Sequence, residues 1–205
     1  MNRNEETGGC SMRPRKLALW ILAIGVGLGP TSAYGQGKAI DVNKSSMKVR
    51  VFKSGAFSAF AHDHEIEAPI AEGRIDSSAK PSVQLRVDSR KMRVLDPEIA
   101  ADKRADIQHT MQGAGVLDVE KFPEISYQST TVTKSGDAHW EVRGNLTLRG
   151  KKQPVVVEVS LESGHYRGFA SIKQSDLGIE PIRIAGGTVK VKDELKIEFD
   201  VVPVR

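Results

Sequence analysis

Trp140-Glu141-Val142-Arg143-Gly144-Asn145-Leu146-Thr147-Leu148-Arg149 is the stretch that decides the fold. Trp140, Val142, Gly144, Leu146 and Leu148 fall on one parity, and Glu141, Arg143, Asn145, Thr147 and Arg149 on the other. Successive side chains of an extended strand point to opposite faces, so this alternation builds a strand with one dry face and one wet face.

The same period of two recurs outward from this stretch in both directions. Upstream it runs through Met47, Val49 and Val51, through Val83, Leu85 and Val87, and through Ile125 and Tyr127. Downstream it runs through Val155, Val157, Val159 and Leu161, then around Phe169 and Ile172, then through Leu195, Ile197, Phe199 and Val201. Turn residues separate the runs at Lys134 to Asp137, Arg149 to Lys152, Ser163-Gly164 and Lys192 to Glu194. About eight short antiparallel strands at hairpin spacing predict an all-β domain, and either a sandwich or a closed barrel disposes of its sheet edges. One segment breaks the alternation: Pro97 followed by Glu98 to Met111 is rich in helix formers, and Gly113 and Gly115 follow it. It predicts one short surface helix opened by proline.

The N-terminus reads differently. Arg13, Arg15 and Lys16 precede an apolar run from Leu17 to Gly29, and Ala33 and Gly35 sit two apart beyond it. This is the pattern of a secretory signal peptide, and the run is shorter than the roughly 20 residues that span a bilayer. The expected organisation is a signal peptide over residues 1–35, cleaved near Gly35/Gln36, and one domain over 36–205, periplasmic or secreted. Met12 opens a more typical signal than Met1, so the true start and a surplus extension before it stay open. The sole cysteine, Cys10, precedes the apolar run, so the mature chain carries no thiol.

Charge narrows the function classes. The 205 residues hold 30 Lys and Arg against 26 Asp and Glu. Removing residues 1–35 takes away four basic side chains (Arg3, Arg13, Arg15, Lys16) and two acidic ones (Glu5, Glu6), leaving 26 against 24, a net +2. A near balance spread along the chain argues against a nucleic-acid partner. Gly-x-Ser-x-Gly is absent, as are phosphate-cradling glycine loops, and no acid–base pair stands out, so the chain is expected not to be an enzyme.

Several motifs resemble those of the YceI-like family, exported lipocalin-like barrels associated with polyisoprenoid lipids. Asp118-Val119-Glu120-Lys121-Phe122-Pro123-Glu124-Ile125-Ser126-Tyr127-Gln128-Ser129-Thr130 is similar to its D-V-E-K-F/Y-P-x-I-x-F-x-S-T signature. Val142 to Gly150 with Pro154-Val155, Lys103-Arg104-Ala105-Asp106, and Gly168-Phe169-Ala170 leading to Ser175-Asp176-Leu177-Gly178-Ile179 resemble further family segments. The N-terminal third departs from the pattern, at Ile40-Asp41 with Asn43 to Ser46 and at Ala59 to Ile66. The resemblance implies an eight-stranded lipocalin-like barrel that sequesters or carries an isoprenoid, a quinone or polyprenyl phosphate, with no other cofactor. A homodimer and a transient membrane contact stay open.

On that reading the ligand-binding candidates are the inward residues Phe60, Leu85, Tyr127, Trp140, Leu146, Phe169 and Ile172; the plain alternative is that they only fill a core. His62 and His64 stand two apart, so on a strand both imidazoles face one way, a geometry for a zinc or copper ion or a polar head group. Further metal ligands would have to come from Glu65, Glu67, His109 or His165. The alternative function is therefore a periplasmic metal-binding or stress-response module built on this pair. Lys103, Arg104 and Lys121 are candidates for meeting a pyrophosphate head, against the simpler role of solvated surface charge.

Overall fold

A computed structural model describes residues 37–54, 63–184 and 189–204. The signal peptide, Cys10, the choice of start, Phe60 and His62 lie outside the described residues. The alternating runs form β1 (Lys38–Ala39), β2 (Ser46–Ser54), β3 (His64–Glu67), β4 (Ile70–Asp76), β5 (Ser82–Asp88), β6 (Arg93–Val94), β7 (Glu124–Gly136), β8 (His139–Leu148), β9 (Lys151–Glu162), β10 (His165–Lys173), β11 (Arg183–Ile184) and β12 (Val189–Val201). The single α-helix described, α1, spans Ala101–Gln112. The protein is all-β with one helix.

All twelve segments belong to one antiparallel sheet, which corrects the expectation of eight unbroken strands. Two interruptions account for most of the difference. Ser45 donates its hydroxyl to the Asp41 carbonyl at 2.7 Å, and the Asp41–Ser45 turn divides β1 from β2. Ala68-Pro69 divides β3 from β4, and proline has no N–H to give to a ladder. β6 and β11 are two-residue additions at the sheet's margins.

The pairing runs β4–β5–β7–β8–β9–β10–β12 and continues from β12 to β2 and from β2 to β3, while β1 pairs back onto β4. Ile40 also bridges to Pro203, just past β12. The sheet thus curls until its last long strand meets its first, giving a barrel-like wall whose inner face gathers apolar residues of β2 to β5, β7 to β10 and β12. Positive φ at Arg149 and Gly150, and at Ser163 and Gly164, makes the two-residue turns that join β8 to β9 and β9 to β10. The turn expected at Lys192–Glu194 is instead a bulge inside β12, between Val191 and Leu195. Asp193 there accepts the Ser175 N–H at 2.8 Å and its hydroxyl at 2.6 Å, which ties the bulge to the segment after β10.

The helix starts later than the proline predicted, because Pro97 and Glu98 form a turn before Ala100 caps it; Gly113 ends it as expected. Gln108 fastens it to β6, its Oε1 accepting the Val94 N–H and its Nε2 donating to the Met92 carbonyl, both at 2.8 Å. Ile107 and Met111 turn toward the main apolar cluster, so α1 covers the end of the sheet at which β7 begins.

Candidate functional site

The inner face does not close on itself. It surrounds a cavity of about 450 Å³ lined by residues of β2, β3, β4, β5, β7, β8, β9, β10 and β12. Aliphatic and aromatic groups make up almost all the lining, and Asp76 is the only Asp, Glu, Lys, Arg or His among the described lining residues.

The polar lining groups are unevenly placed. Asp76, Ser77, Ser78 and Ser82 cluster at the β4–β5 turn, where Ser77, Ser78 and Pro81 are exposed; this is the mouth. Trp140 and Tyr166 stand at the same end, at the starts of β8 and β10, with ring centroids 6.4 Å apart and planes inclined by 55°. At the opposite end Met92, Met111, Leu117, Leu177 and Ile179, all buried, form an apolar floor. Two polar residues line the cavity toward this end: Gln174 donates its amide to the Lys192 carbonyl at 2.8 Å and so serves the wall, and Ser126 lies near the start of β7.

Tyr127 lies between the two ends. Its hydroxyl donates to the Val142 carbonyl at 3.1 Å, and burial pushes the phenol up to about 12, so it stays neutral. The ring fits because residue 144 is glycine: a Cβ there would lie 2.5 Å from Tyr127 Cζ and Oη. Gly144, placed by parity on the dry face, is where the wall makes room for an aromatic ring.

Leu85, Tyr127, Trp140, Leu146 and Ile172 all line the cavity. Phe169 does not, which corrects its inclusion with the inward set. It stands three positions before Ile172, an odd offset, so the two point to opposite faces of β10. Phe169 is 38% exposed and carries the Lys196 ammonium over its ring, 5.0 Å from the centroid.

His64 opens β3, and its Nδ1 lies 2.6 Å from Oδ2 of the buried Asp96, whose Oδ1 accepts the Glu65 N–H at 2.8 Å. This imidazole therefore links β3 to the segment leading into α1. Among the described residues no group of three His, Cys, Asp or Glu side chains stands together as a metal-binding set. Arg104 is occupied with the carbonyls of Asp96 and Ile99, both at 3.2 Å, and Lys121 sits over the Phe122 ring at 5.3 Å. Neither these two nor Lys103 lines the cavity.

Sequence reasoning missed the floor, and it left the residues that β2 and β12 contribute out of the binding set. Met47, Val49, Val51, Leu195, Ile197 and Phe199 carried the alternation signal and were legible as inward. Met92, Met111, Leu117 and Leu177 come from a helix, a loop and short turns, where no period marks the inner side.

The described residues form a curled antiparallel sheet around an apolar cavity whose polar lining gathers at the β4–β5 end. A family model described as the YceI-like domain matches residues 39–202, and the chain belongs to that family. Among curated relatives, a UPF0312 protein of Vibrio cholerae is 27% identical over 127 residues, covering 58% of this chain and 63% of the relative. A UPF0312 protein of Yersinia pestis is 33% identical over 106 residues, covering 49% of this chain and 48% of the relative. The matched stretch thus spans less than two thirds of either relative. Among solved structures, Burkholderia cenocepacia BcnA superposes with a TM-score of 0.63 at 19% identity, covering 80% of this chain and 99% of that one. A polyisoprenoid binding domain from Saccharophagus degradans, implicated in plant cell wall breakdown, gives 0.52 at 14% identity over 80% and 96%. At these identities the likeness is one of fold.

Proposed function

We propose that this protein binds an isoprenoid lipid, a quinone or a polyprenyl phosphate, inside the curled sheet and carries it without transforming it, as an exported protein of the periplasm or exterior. The observation that carries the proposal is the 450 Å³ cavity with an apolar wall and a polar mouth. An isoprenoid tail withdrawn from water there gains about 25 cal/mol per Å² of apolar surface, offset in part by the freedom it loses on binding. The name of the Saccharophagus degradans neighbour, a polyisoprenoid binding domain, lends support from the fold.

Mass spectrometry of the native protein and of its solvent extract is expected to show a co-purifying apolar ligand, and added ubiquinone is expected to quench Trp140 emission at the mouth. Absence of any extracted lipid, together with no saturable quenching beyond that of the Trp140→Phe variant, refutes the proposal. N-terminal sequencing of the exported form checks the cleavage near Gln36.

A further inference from the structure

We infer that the groove between α1 and residues 90–94 is a binding site for a phosphate monoester, separate from the apolar cavity inside the sheet. The groove has a volume of about 560 Å³ and opens to solvent. Arg90, Lys91 and Arg93 come to it from the strand side and Arg104 from the helix, and no Asp or Glu is among the described residues that line it.

Helical spacing sorts the charges. Ala101, Arg104, Ala105, Gln108 and Gln112 recur at intervals that place them on one side of α1, and that side forms a wall of the groove. Asp102 and Asp106, the two acids of the helix, fall outside it. Gln108 and Gln112 hold the two walls together, their amides donating to the carbonyls of Met92 at 2.8 Å and Arg90 at 3.1 Å. Ala101 and Ala105 bring only methyl groups to the space and so leave it open.

The balance of charge in the groove calls for an anion. Arg90 pairs with Asp88 and also feels Glu120, and Arg93 pairs with Glu67; both ion pairs measure 2.8 Å and lie in solvent, where such pairs contribute little. Lys91 and Arg104 form no ion pair among the described residues. Arg104 is held in place without a carboxylate: its Nη1 donates to the carbonyls of Asp96 and Ile99, both at 3.2 Å, which leaves Nε and Nη2 as donors. Two cations thus stand without a counter-ion, and a phosphate monoester carries a charge of about −1.5 to −2 at neutral pH. A guanidinium meets its oxygens with paired N–H donors and the lysine adds a point charge. At roughly 30 Å³ for the share of one water molecule, the groove has room for the organic part of the ester beside the phosphate.

The test is calorimetric titration of the protein with glycerol 3-phosphate, run beside sedimentation with phosphatidylcholine vesicles that contain or lack phosphatidic acid, which carries the same monoester on a lipid. Saturable binding of glycerol 3-phosphate identifies a soluble ester as the ligand; binding only to the vesicles with phosphatidic acid identifies a lipid head. Lys91→Gln, which removes an ammonium that makes no ion pair, is expected to weaken that binding about fivefold, and Arg104→Gln about tenfold or more, the worth of charge-assisted hydrogen bonds. Arg104→Lys keeps the charge without the fork and is expected to fall between wild type and Arg104→Gln. Lys152→Gln, the same loss of charge on β9 outside the groove, is expected to leave binding within about twofold of wild type. Melting temperatures report whether each variant is folded, and Lys91→Gln alone decides the question if the Arg104 variants are not. Saturable binding of neither ligand, or a loss that Lys152→Gln shares equally with Lys91→Gln, overturns the site and leaves the lipid-binding reading of the cavity untouched.

Discussion

Replacing Gly144 by alanine tests whether the inner wall is assembled as described. Gly144 is buried on β8, and the added Cβ would meet Tyr127 Cζ and Oη at 2.5 Å and the Gln128 carbonyl oxygen at 2.6 Å. Carbon atoms pack best at about 3.5–4.0 Å, so the Tyr127 ring has to retreat by about 1 Å. Overpacking of this kind costs about 1–3 kcal/mol, and the displaced hydroxyl gives up its bond to Val142, worth about 1 kcal/mol. Removing a glycine from a strand returns about 0.5–1 kcal/mol. The expected net loss is about 2 kcal/mol, seen as a lower urea midpoint and a melting temperature lower by about 4–8 °C. In a Tyr127→Ala background the ring is gone and the Gln128 carbonyl remains in the way, and the loss is expected to shrink by at least about 1 kcal/mol. A Gly144→Ala protein as stable as wild type, or an equal loss in both backgrounds, refutes this account of the wall.

Stability is also expected to depend on alkaline pH through Tyr127. Its folded pKa is raised to about 12 from an ordinary value of 10.0, so the folded state keeps a proton that the unfolded state releases. That contribution is complete below pH 10 and is lost as pH rises toward 12; urea midpoints of wild type and Tyr127→Phe across this window check it. Asp96→Ala leaves the Glu65 N–H and His64 without their buried partner and is expected to cost about 2–3 kcal/mol by urea denaturation, the largest effect of any single acidic side chain. The Ser175 hydroxyl and N–H hold the Asp193 carboxyl below its ordinary 3.8, so Ser175→Ala should raise the Asp193 pKa read by carboxyl NMR, and an unchanged value contradicts the contact. Phe169→Ala should leave isoprenoid affinity within about twofold of wild type, since the ring lies outside the wall; a larger loss returns Phe169 to the site.

The faces of the strands were legible because side-chain parity is a local property: Trp140, Val142, Leu146 and Leu148 line the cavity as their alternation predicted. Phe169 was misplaced beside Ile172 although their odd separation already put them on opposite faces, and the structure follows the separation. Gly144 was legible as inward, but the ring that needs its missing Cβ comes from β7, across a hairpin. His64 was legible as an imidazole on the same strand face as His62, while its partner Asp96 is brought to it by the chain leading into α1.

By itself the sequence determined most of the antiparallel strands and the presence of the single helix, because each depends on neighbours within a few residues, whereas the turn it suggested at Lys192–Glu194 is a bulge inside β12. It determined the apolar parity of the wall for the same reason. Only the tertiary structure decided that this parity encloses a space instead of filling it, that the space has a polar mouth and an apolar floor, and that twelve segments curl until β12 meets β2. A cavity is what remains when distant side chains, each correctly oriented, fail to sum to the volume the wall surrounds, and that sum exists only once the sheet has closed.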